Sequence, residues 1–245
     1  MSIRCTAATT LRVLTQLRRD PRTIVLIIGV PCLLEVLLKE IFSGRPDIFQ
    51  HVGAPLLGLF PFVSMFVVTS VTMLRERTTG TLERLMSMPL SKLDVLGGYA
   101  LAFAGVAVVQ AALVSSLAFG LLDLEVAGPR WGVVLLAVAN ATLGMALGLF
   151  VSAFATTEFQ AVQFMPAIVF PQLLLCGLFV ARADMAHWLR IVSDALPLSY
   201  AYDALARVAR GGPYGGRFGA DVTVTVVAAI IALGLGAATL RRRTP

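Results

Sequence analysis

The stretch RERTTGTLERLMSMPLSK, Arg75–Lys92, is the most charged internal segment of a very apolar chain. It lies between two apolar runs that are each long enough to cross a bilayer. Charged side chains carry a severe desolvation cost in hydrocarbon, so this segment must lie outside the membrane core. Gly80 is suited to breaking the preceding helix, and Pro89 to ending the next one. The segment therefore predicts a short surface helix between them.

The two faces of this helix differ in character. At 100° per residue its apolar side chains fall together and its polar ones fall opposite: Leu82, Leu85 and Met86 against Glu83, Arg84 and Ser87. Two interpretations fit this pattern. One is an ordinary polar loop between membrane spans, and the other is a docking helix for a soluble partner.

Composition sets the protein class. Of 245 residues, 58% are hydrophobic and 14% charged, whereas soluble domains have about 25% charged residues. Mean hydropathy is +0.85. These values indicate an all-α polytopic membrane protein, with residues 1–245 forming a single transmembrane domain. The three cysteines form no CxxC pair, so neither a disulfide framework nor a zinc site is predicted.

Six apolar runs approach or exceed the length of about 20 residues that a membrane helix needs. They cover, approximately, residues 23–42, 52–74, 93–122, 131–155, 159–180 and 220–240. Pro31 is expected to bend the first run, and Pro166 and Pro171 the fifth. Ser91, followed by Asp94 three residues later, resembles a capping box and predicts the start of the third helix.

Two further segments are amphipathic but do not span. Residues 1–22 place Ile3, Leu11 and Leu14 on one helical side and arginines toward the other, which predicts an interfacial helix. An arginine-rich transit peptide is the alternative. Residues 182–217 are too polar to span and too apolar for a free loop, so short or re-entrant helices are expected on the outer membrane face.

Basic residues are distributed unevenly between the loops. Twelve Arg and Lys lie in residues 1–22, 75–92 and 241–243, against seven in the remaining loops. The positive-inside rule therefore places both termini and the Arg75–Lys92 segment in the cytoplasm. The net charge of +6 reflects this placement rather than nucleic-acid binding.

Several residues inside the predicted spans are candidates for function. Phe60, Phe62 and Phe66 around Pro61, together with Gln172, either line a cavity for apolar compounds or simply pack. Glu35 and Lys39, four residues apart, either form an ion pair in a transport path or extend to the outer interface, and we favour the second interpretation.

Small residues recur every fourth position in the fourth span: Asn140, Gly144, Gly148 and Ser152. Such a ridge lets another helix approach closely, and the Asn140 amide is able to hydrogen-bond across the contact. The pattern does not say whether the neighbouring helix belongs to the same chain.

Catalysis has little support in this sequence. It contains no HExxH, GxSxG or Walker A motif, and its two histidines, His51 and His187, fall in predicted outer loops. No catalytic residue and no metal site is predicted. An intramembrane enzyme and a non-catalytic scaffold are the alternatives from other classes. A secondary transporter would need more charged residues deep in the spans.

Two motifs carry a family resemblance. Glu76, Gly80-Thr81-Leu82-Glu83 and Met88-Pro89-Leu90 resemble the coupling segment of ABC-2-type permeases. The run 175–180 (LCGLFV), then Trp188-Leu189, then 196–201 (LPLSYA), resembles the signature that this family carries from the fifth span into the outer helices. The resemblance covers essentially the whole chain. Bacterial drug and antibiotic exporters are the most similar-looking subgroup.

The resemblance implies a permease subunit of the cell membrane that dimerises, with an identical or different partner, and is driven by a separate cytoplasmic ATPase. That ATPase would bind ATP and Mg, and this chain would bind no cofactor. The expected ATPase-coupling residues are Glu76, Gly80, Thr81, Leu82, Glu83, Arg84 and Leu85, and the expected exit gate is Leu178 and Phe179. The cargo would be a hydrophobic or amphipathic drug-like compound, with lipid or glycan-precursor export as the alternative.

Overall fold

The computed structural model describes residues 2–87 and 91–239, apart from the side chains of Glu83, Met86, Lys92 and Leu93. Within this part of the chain the regular elements are all helices. The twelve α-helices are α1 Ile3–Arg18, α2 Pro21–Ile24, α3 Val30–Ile41, α4 Pro46–Thr78, α5 Thr81–Ser87, α6 Lys92–Gly120, α7 Arg130–Val151, α8 Glu158–Phe164, α9 Phe170–Leu175, α10 His187–Ala195, α11 Pro197–Ala209 and α12 Gly216–Ala238. A 3₁₀ turn covers Arg182–Asp184.

Four of these helices, α4, α6, α7 and α12, are long and apolar enough to cross a membrane. The segments predicted as the first and fifth spans are helical but interrupted. Between α2 and α3 lies a π-helical segment, Val25–Gly29, and between α8 and α9 lies another, Met165–Val169. Neither stretch therefore contains one uninterrupted long helix.

A proline accompanies each π-helical segment. Pro31 has no N–H to donate to the carbonyl of Ile27, four residues earlier. That carbonyl instead accepts a hydrogen bond of 2.6 Å from the Gln110 side-chain amide on α6, which also donates to Ser64 Oγ on α4 at 2.5 Å. The interruption in the first stretch is thus stabilised by contacts with its neighbours, as expected for a kink inside a membrane protein.

The centre of the fold is the contact between α4 and α7. A Cβ added at Gly144 would lie 2.2 Å from the Phe62 carbonyl oxygen, and one at Gly148 would lie 2.4 Å from that of Phe66. The helix backbones therefore meet where the small residues lie, and the ridge faces a helix of the same chain.

The polar ends of the ridge behave differently from its glycines. Ser152 bonds within its own helix, donating to the Leu149 carbonyl at 2.6 Å. Asn140 is buried, and its amide makes no hydrogen bond with the described residues. The prediction that Asn140 forms a hydrogen bond across the contact is therefore wrong. The hydrogen bond across this contact comes instead from Thr69, whose hydroxyl lies 3.2 Å from the Met145 carbonyl oxygen.

Helix α1 packs on the beginning of α6. The predicted capping box is confirmed: Ser91 Oγ accepts from the Asp94 N–H at 3.0 Å, and the Asp94 carboxylate accepts from the Ser91 N–H at 3.1 Å. Asp94 also accepts from the Ser2 N–H at 2.8 Å. Thr6 and Thr9 are buried against this region, whereas Ile3 and Leu11 on the opposite face are exposed. Helix α1 therefore turns an apolar face away from the rest of the protein.

Candidate functional site

A large apolar cavity in the described part of the chain is an open groove with a volume of about 790 Å³. Three walls enclose it: the α2–α3 stretch, one face of α4, and the stretch from the second π-helical segment to the residues after α9. Its lining is almost entirely aliphatic and aromatic: Leu26, Val30, Leu34, Leu38, Phe42, Val52, Leu56, Leu59, Phe60, Val63, Ser64, Val67, Val68, Met165, Leu173, Leu178 and Phe179. Such a surface suits an apolar or amphipathic ligand.

The groove runs along the helices rather than across them. Its lining extends from Leu26 to Phe42 on the first stretch, about 24 Å at the helical rise of 1.5 Å per residue. On α4 it runs in the opposite direction, from Val52 to Val68. It therefore covers most of a hydrocarbon core that is about 30 Å thick.

Three residues predicted to line a cavity lie elsewhere. Phe62 and Phe66 are fully buried against α7, because their backbones contact Gly144 and Gly148. Gln172 is also buried, and its amide donates to the Ile168 carbonyl at 3.2 Å. The α4 aromatic that does line the groove is Phe60.

The sequence contains a signal for this difference. Phe62 and Phe66 are four residues apart, which is the spacing of Gly144 and Gly148 on the facing helix. Large side chains next to a small-residue ridge belong to the packed face of a helix. Phe60, which lies about 160° from Phe62 at 100° per residue, then falls on the free side. The two spacings predict the packed face of α4 only when they are combined.

The predicted exit residues lie at one end of the groove. Leu178 is half-buried, and Phe179 has 68% of its surface exposed. They follow α9, whose end is held by α10: the Ser193 hydroxyl donates to the Leu175 carbonyl at 2.7 Å and lies 3.0 Å from Ser199 Oγ. The chain therefore presents these two side chains from an anchored support.

The predicted coupling segment contains a left-handed turn followed by α5. Gly80 has φ +72°, a conformation that strains other residues. Leu82 is buried in a cluster with α6 residues and Leu85 packs against it, whereas Arg84 is exposed. The helix thus seats its apolar face on the protein and presents a charge outward. The predicted roles of the Glu83 and Met86 side chains, and of Pro89, lie outside the described residues.

Glu76, predicted to contact an ATPase, is instead buried inside the protein. Its carboxylate lies 3.3 Å from the Arg12 guanidinium, and only 4% of its side chain is exposed. Arg12 also donates to the Tyr99 hydroxyl, with its guanidinium 5.7 Å from the ring centre. These contacts join α1, α4 and α6. Glu76 therefore belongs to a buried contact within the protein rather than to its surface.

A second ion pair lies next to this one. Arg75 donates to both carboxylate oxygens of Glu158 at 2.6 and 3.0 Å, linking the end of α4 to the start of α8. These hydrogen bonds hold the pKa of Glu158 below its usual value. Both side chains are about half exposed, so the pair contributes little to stability despite its good geometry.

The predicted behaviour of Glu35 and Lys39 was wrong in part. Lys39 pairs with Asp123, at 3.3 Å, and not with Glu35. Glu35 is fully buried, and neither carboxylate oxygen has a hydrogen-bond partner among the described residues. It therefore does not extend to the membrane surface. Among all the described residues, no group of three His, Cys, Asp or Glu side chains is placed to hold a metal ion.

Known proteins are similar to this chain over most of its length. The family model for ABC-2 type transporters matches residues 5–208. Over 164 residues, 66% of this chain, the sequence is 26% identical to ABC transporter G family member 20 of Dictyostelium discoideum, covering 22% of that protein. Over 177 residues, 71% of this chain, it is 24% identical to the probable multidrug ABC transporter permease YbhR of Escherichia coli K12, covering 47% of it. The chain thus matches less than half the length of these curated relatives.

Proposed function

The chain belongs to the ABC-2 type transporter family, whose members are membrane components of ABC transporters, and on this ground we propose that it is the permease subunit of an exporter for hydrophobic or amphipathic compounds. In this proposal six segments cross the membrane, with the two interrupted helical stretches acting as the first and fifth spans. Residues 1–245 then form a single transmembrane domain in the cell membrane, with both termini in the cytoplasm.

The groove is the observation that carries this proposal. It is long and apolar, and in the proposed topology its three walls belong to membrane-crossing segments, so it would offer a path along the bilayer normal. Among the described lining residues the one hydroxyl group belongs to Ser64, beside the Gln110 amide. A lining with so few polar groups selects by size and apolar area rather than by hydrogen bonding, as expected for a permissive exporter. The name of the YbhR relative includes a multidrug role, which fits such a lining.

Release would occur at Leu178 and Phe179. In a dimer these residues would meet their counterparts from a second permease subunit, identical or different. Narrow apolar constrictions close by excluding water, so two such pairs would form a gate without any charged residue. The exposure of Phe179 in the single chain leaves it free for this contact.

Energy would come from a separate cytoplasmic ATPase that binds ATP and Mg. Arg84, exposed on α5, is the described charge best placed to contact it. The seating of Leu82 on the protein and the Arg12–Glu76 pair beneath would pass movement of α5 to α1, α4 and α6. Gly80, Thr81 and Leu85 shape and seat this segment, and Glu83 remains a predicted contact.

The experiment that tests the proposal is compound-stimulated ATP hydrolysis by the complex purified from membranes. Val63→Trp should fill the groove and abolish stimulation by apolar compounds while basal hydrolysis persists. Leu113→Trp, at an exposed apolar position on α6, is the matched control and should behave like wild type. Stimulation that survives Val63→Trp unchanged would argue against a transport path through this groove.

A further inference from the structure

The outer helices gather arginines in a way that membrane topology does not explain. Seven arginines fall in the loops that the proposed orientation places outside, where the positive-inside rule disfavours them. Five of these line one pocket of about 510 Å³ between the 3₁₀ turn, α10, α11 and the start of α12: Arg182, Arg190, Arg207, Arg210 and Arg217. Such a concentration calls for a local cause.

Carboxylates neutralise only part of this charge. Arg182 donates to Asp203 at 2.5 Å and also to Asp194, and its guanidinium lies 5.3 Å from the Tyr200 ring centre. Arg182 alone therefore pairs with both of the acidic residues that line the pocket. These contacts hold Arg182 in place, so its role in the pocket is structural.

Of the other four arginines, Arg207 alone is paired with a carboxylate among the described residues. Arg207 lies 3.5 Å from Asp221. Arg190, Arg210 and Arg217 are exposed and form no ion pair with any carboxylate in the described residues. The pocket thus keeps a positive charge that its own acids do not balance. An anion with several acceptor oxygens would match the planar guanidinium groups.

The pocket adjoins the exit end of the groove. Gly177 lines the arginine pocket, and the next two residues, Leu178 and Phe179, line the groove. A single short segment therefore separates an apolar channel from a basic pocket. An amphiphile with its apolar part in the groove would reach the pocket with its head group.

We propose that the arginine pocket binds the phosphate head group of an anionic amphiphile whose apolar part occupies the groove. This inference rests on the proposed export function and narrows its substrate class. Arg190, Arg210 and Arg217 would contact the phosphate, and Arg182 would position the surrounding helices. Binding there would draw the head group outward as the apolar part leaves the groove.

The test compares two lipids with the same acyl chain and different head-group charge. The permease, purified from membranes with any subunits that accompany it, is placed in phosphatidylcholine nanodiscs. Binding of radiolabelled oleoyl lysophosphatidic acid and oleoyl lysophosphatidylcholine is then measured. Wild type should bind the anionic lipid more tightly, and Arg190→Gln with Arg217→Gln should weaken that binding about tenfold, since each exposed charge contact is worth roughly a few-fold. Binding of the zwitterionic lipid should not change.

Matched controls separate this inference from the export function. Arg45→Gln with Arg130→Gln removes two exposed arginines outside the pocket and should leave both affinities as in wild type. Val63→Trp should weaken both lipids, because it acts on the apolar part. One outcome would contradict the head-group pocket alone. In it, Val63→Trp weakens binding of both lipids, but the double Arg190 and Arg217 variant still prefers the anionic lipid as wild type does. The binding of apolar compounds in the groove would then still be supported.

Free phosphate compounds provide the remaining arm. Glycerol 3-phosphate should displace the labelled lysophosphatidic acid only at a far higher concentration than unlabelled lysophosphatidic acid does. Equal potency would overturn the proposal, because it would identify a pocket for soluble anions. Affinity for lysophosphatidic acid that falls in the arginine variant but not in Val63→Trp would overturn it as well, since the apolar part would then lie outside the groove.

Discussion

The ion pair between Arg12 and Glu76 permits a quantitative prediction about how burial strengthens the contact between α1 and α4. Replacing Arg12 by Ala would leave the Glu76 carboxylate without its cationic partner in a position where only 4% of the side chain is exposed. Breaking a buried pair in this way costs about 3–5 kcal/mol. Because 35% of the Arg12 side chain is exposed, we expect the lower end, about 3 kcal/mol.

Thermal stability of the purified protein measures this cost. For chains of this size 1 kcal/mol corresponds to roughly 2–4 °C, so Arg12→Ala should lower Tm by about 6–12 °C. Arg12→Leu combined with Glu76→Leu should recover most of this loss, since apolar replacements of both partners leave no uncompensated charge. Tm should be followed by loss of the monodisperse elution peak after heating.

The neighbouring pair supplies the control. Arg75→Gln removes a pair with better geometry, 2.6 Å from Glu158, but with both side chains 53% exposed. It should cost only about 0–1 kcal/mol. Equal losses in Arg75→Gln and Arg12→Ala, or a double Leu variant as unstable as Arg12→Ala, would refute the reasoning that burial gives the inner pair its weight.

Three further predictions concern packing, coupling and release. Gly144→Ala should destabilise the protein by about 2 kcal/mol or more, because its Cβ would meet the Phe62 carbonyl oxygen, whereas Gly105→Ala, with open space around it, should be neutral or slightly stabilising in the same heating assay. Arg84→Glu should reduce co-purification of the ATPase at normal permease abundance, since a mismatched charge in a closed interface costs about 2–5 kcal/mol; full ATPase recovery would count against docking through α5. Replacing Leu178 and Phe179 together by Ala should raise basal ATP hydrolysis or alter export while the complex still assembles, and unchanged rates of both would exclude a gate at these residues.

Sequence patterns predicted the parts of this fold that depend on local chemistry. Apolar length marked α4, α6, α7 and α12, because a membrane helix must satisfy its own backbone groups. The Ser91–Asp94 capping box was predictable because both partners lie within one turn of the chain. The helix after Gly80 followed from a helix breaker and a clear division of apolar and polar faces.

Contacts between distant segments were less accessible. Glu76 looked like part of an exposed charged segment, and nothing nearby in the sequence shows that Arg12, 64 residues earlier, reaches its carboxylate. The groove required knowing which side of α4 faces α7, and that depends on a match between Phe62, Phe66 and two glycines in another helix. Five arginines spread over 36 residues gave no sign of a common pocket until α10, α11 and α12 were placed side by side.

ATP-dependent uptake into inside-out membrane vesicles would measure export through the groove. Vesicles containing the permease and its ATPase are given a fluorescent amphiphile with ATP or with a non-hydrolysable analogue. We expect accumulation in the lumen only with ATP, and loss of that accumulation in Val63→Trp but not in Leu113→Trp. Accumulation that is independent of ATP hydrolysis, or that persists unchanged in Val63→Trp, would contradict ATP-driven export through the groove.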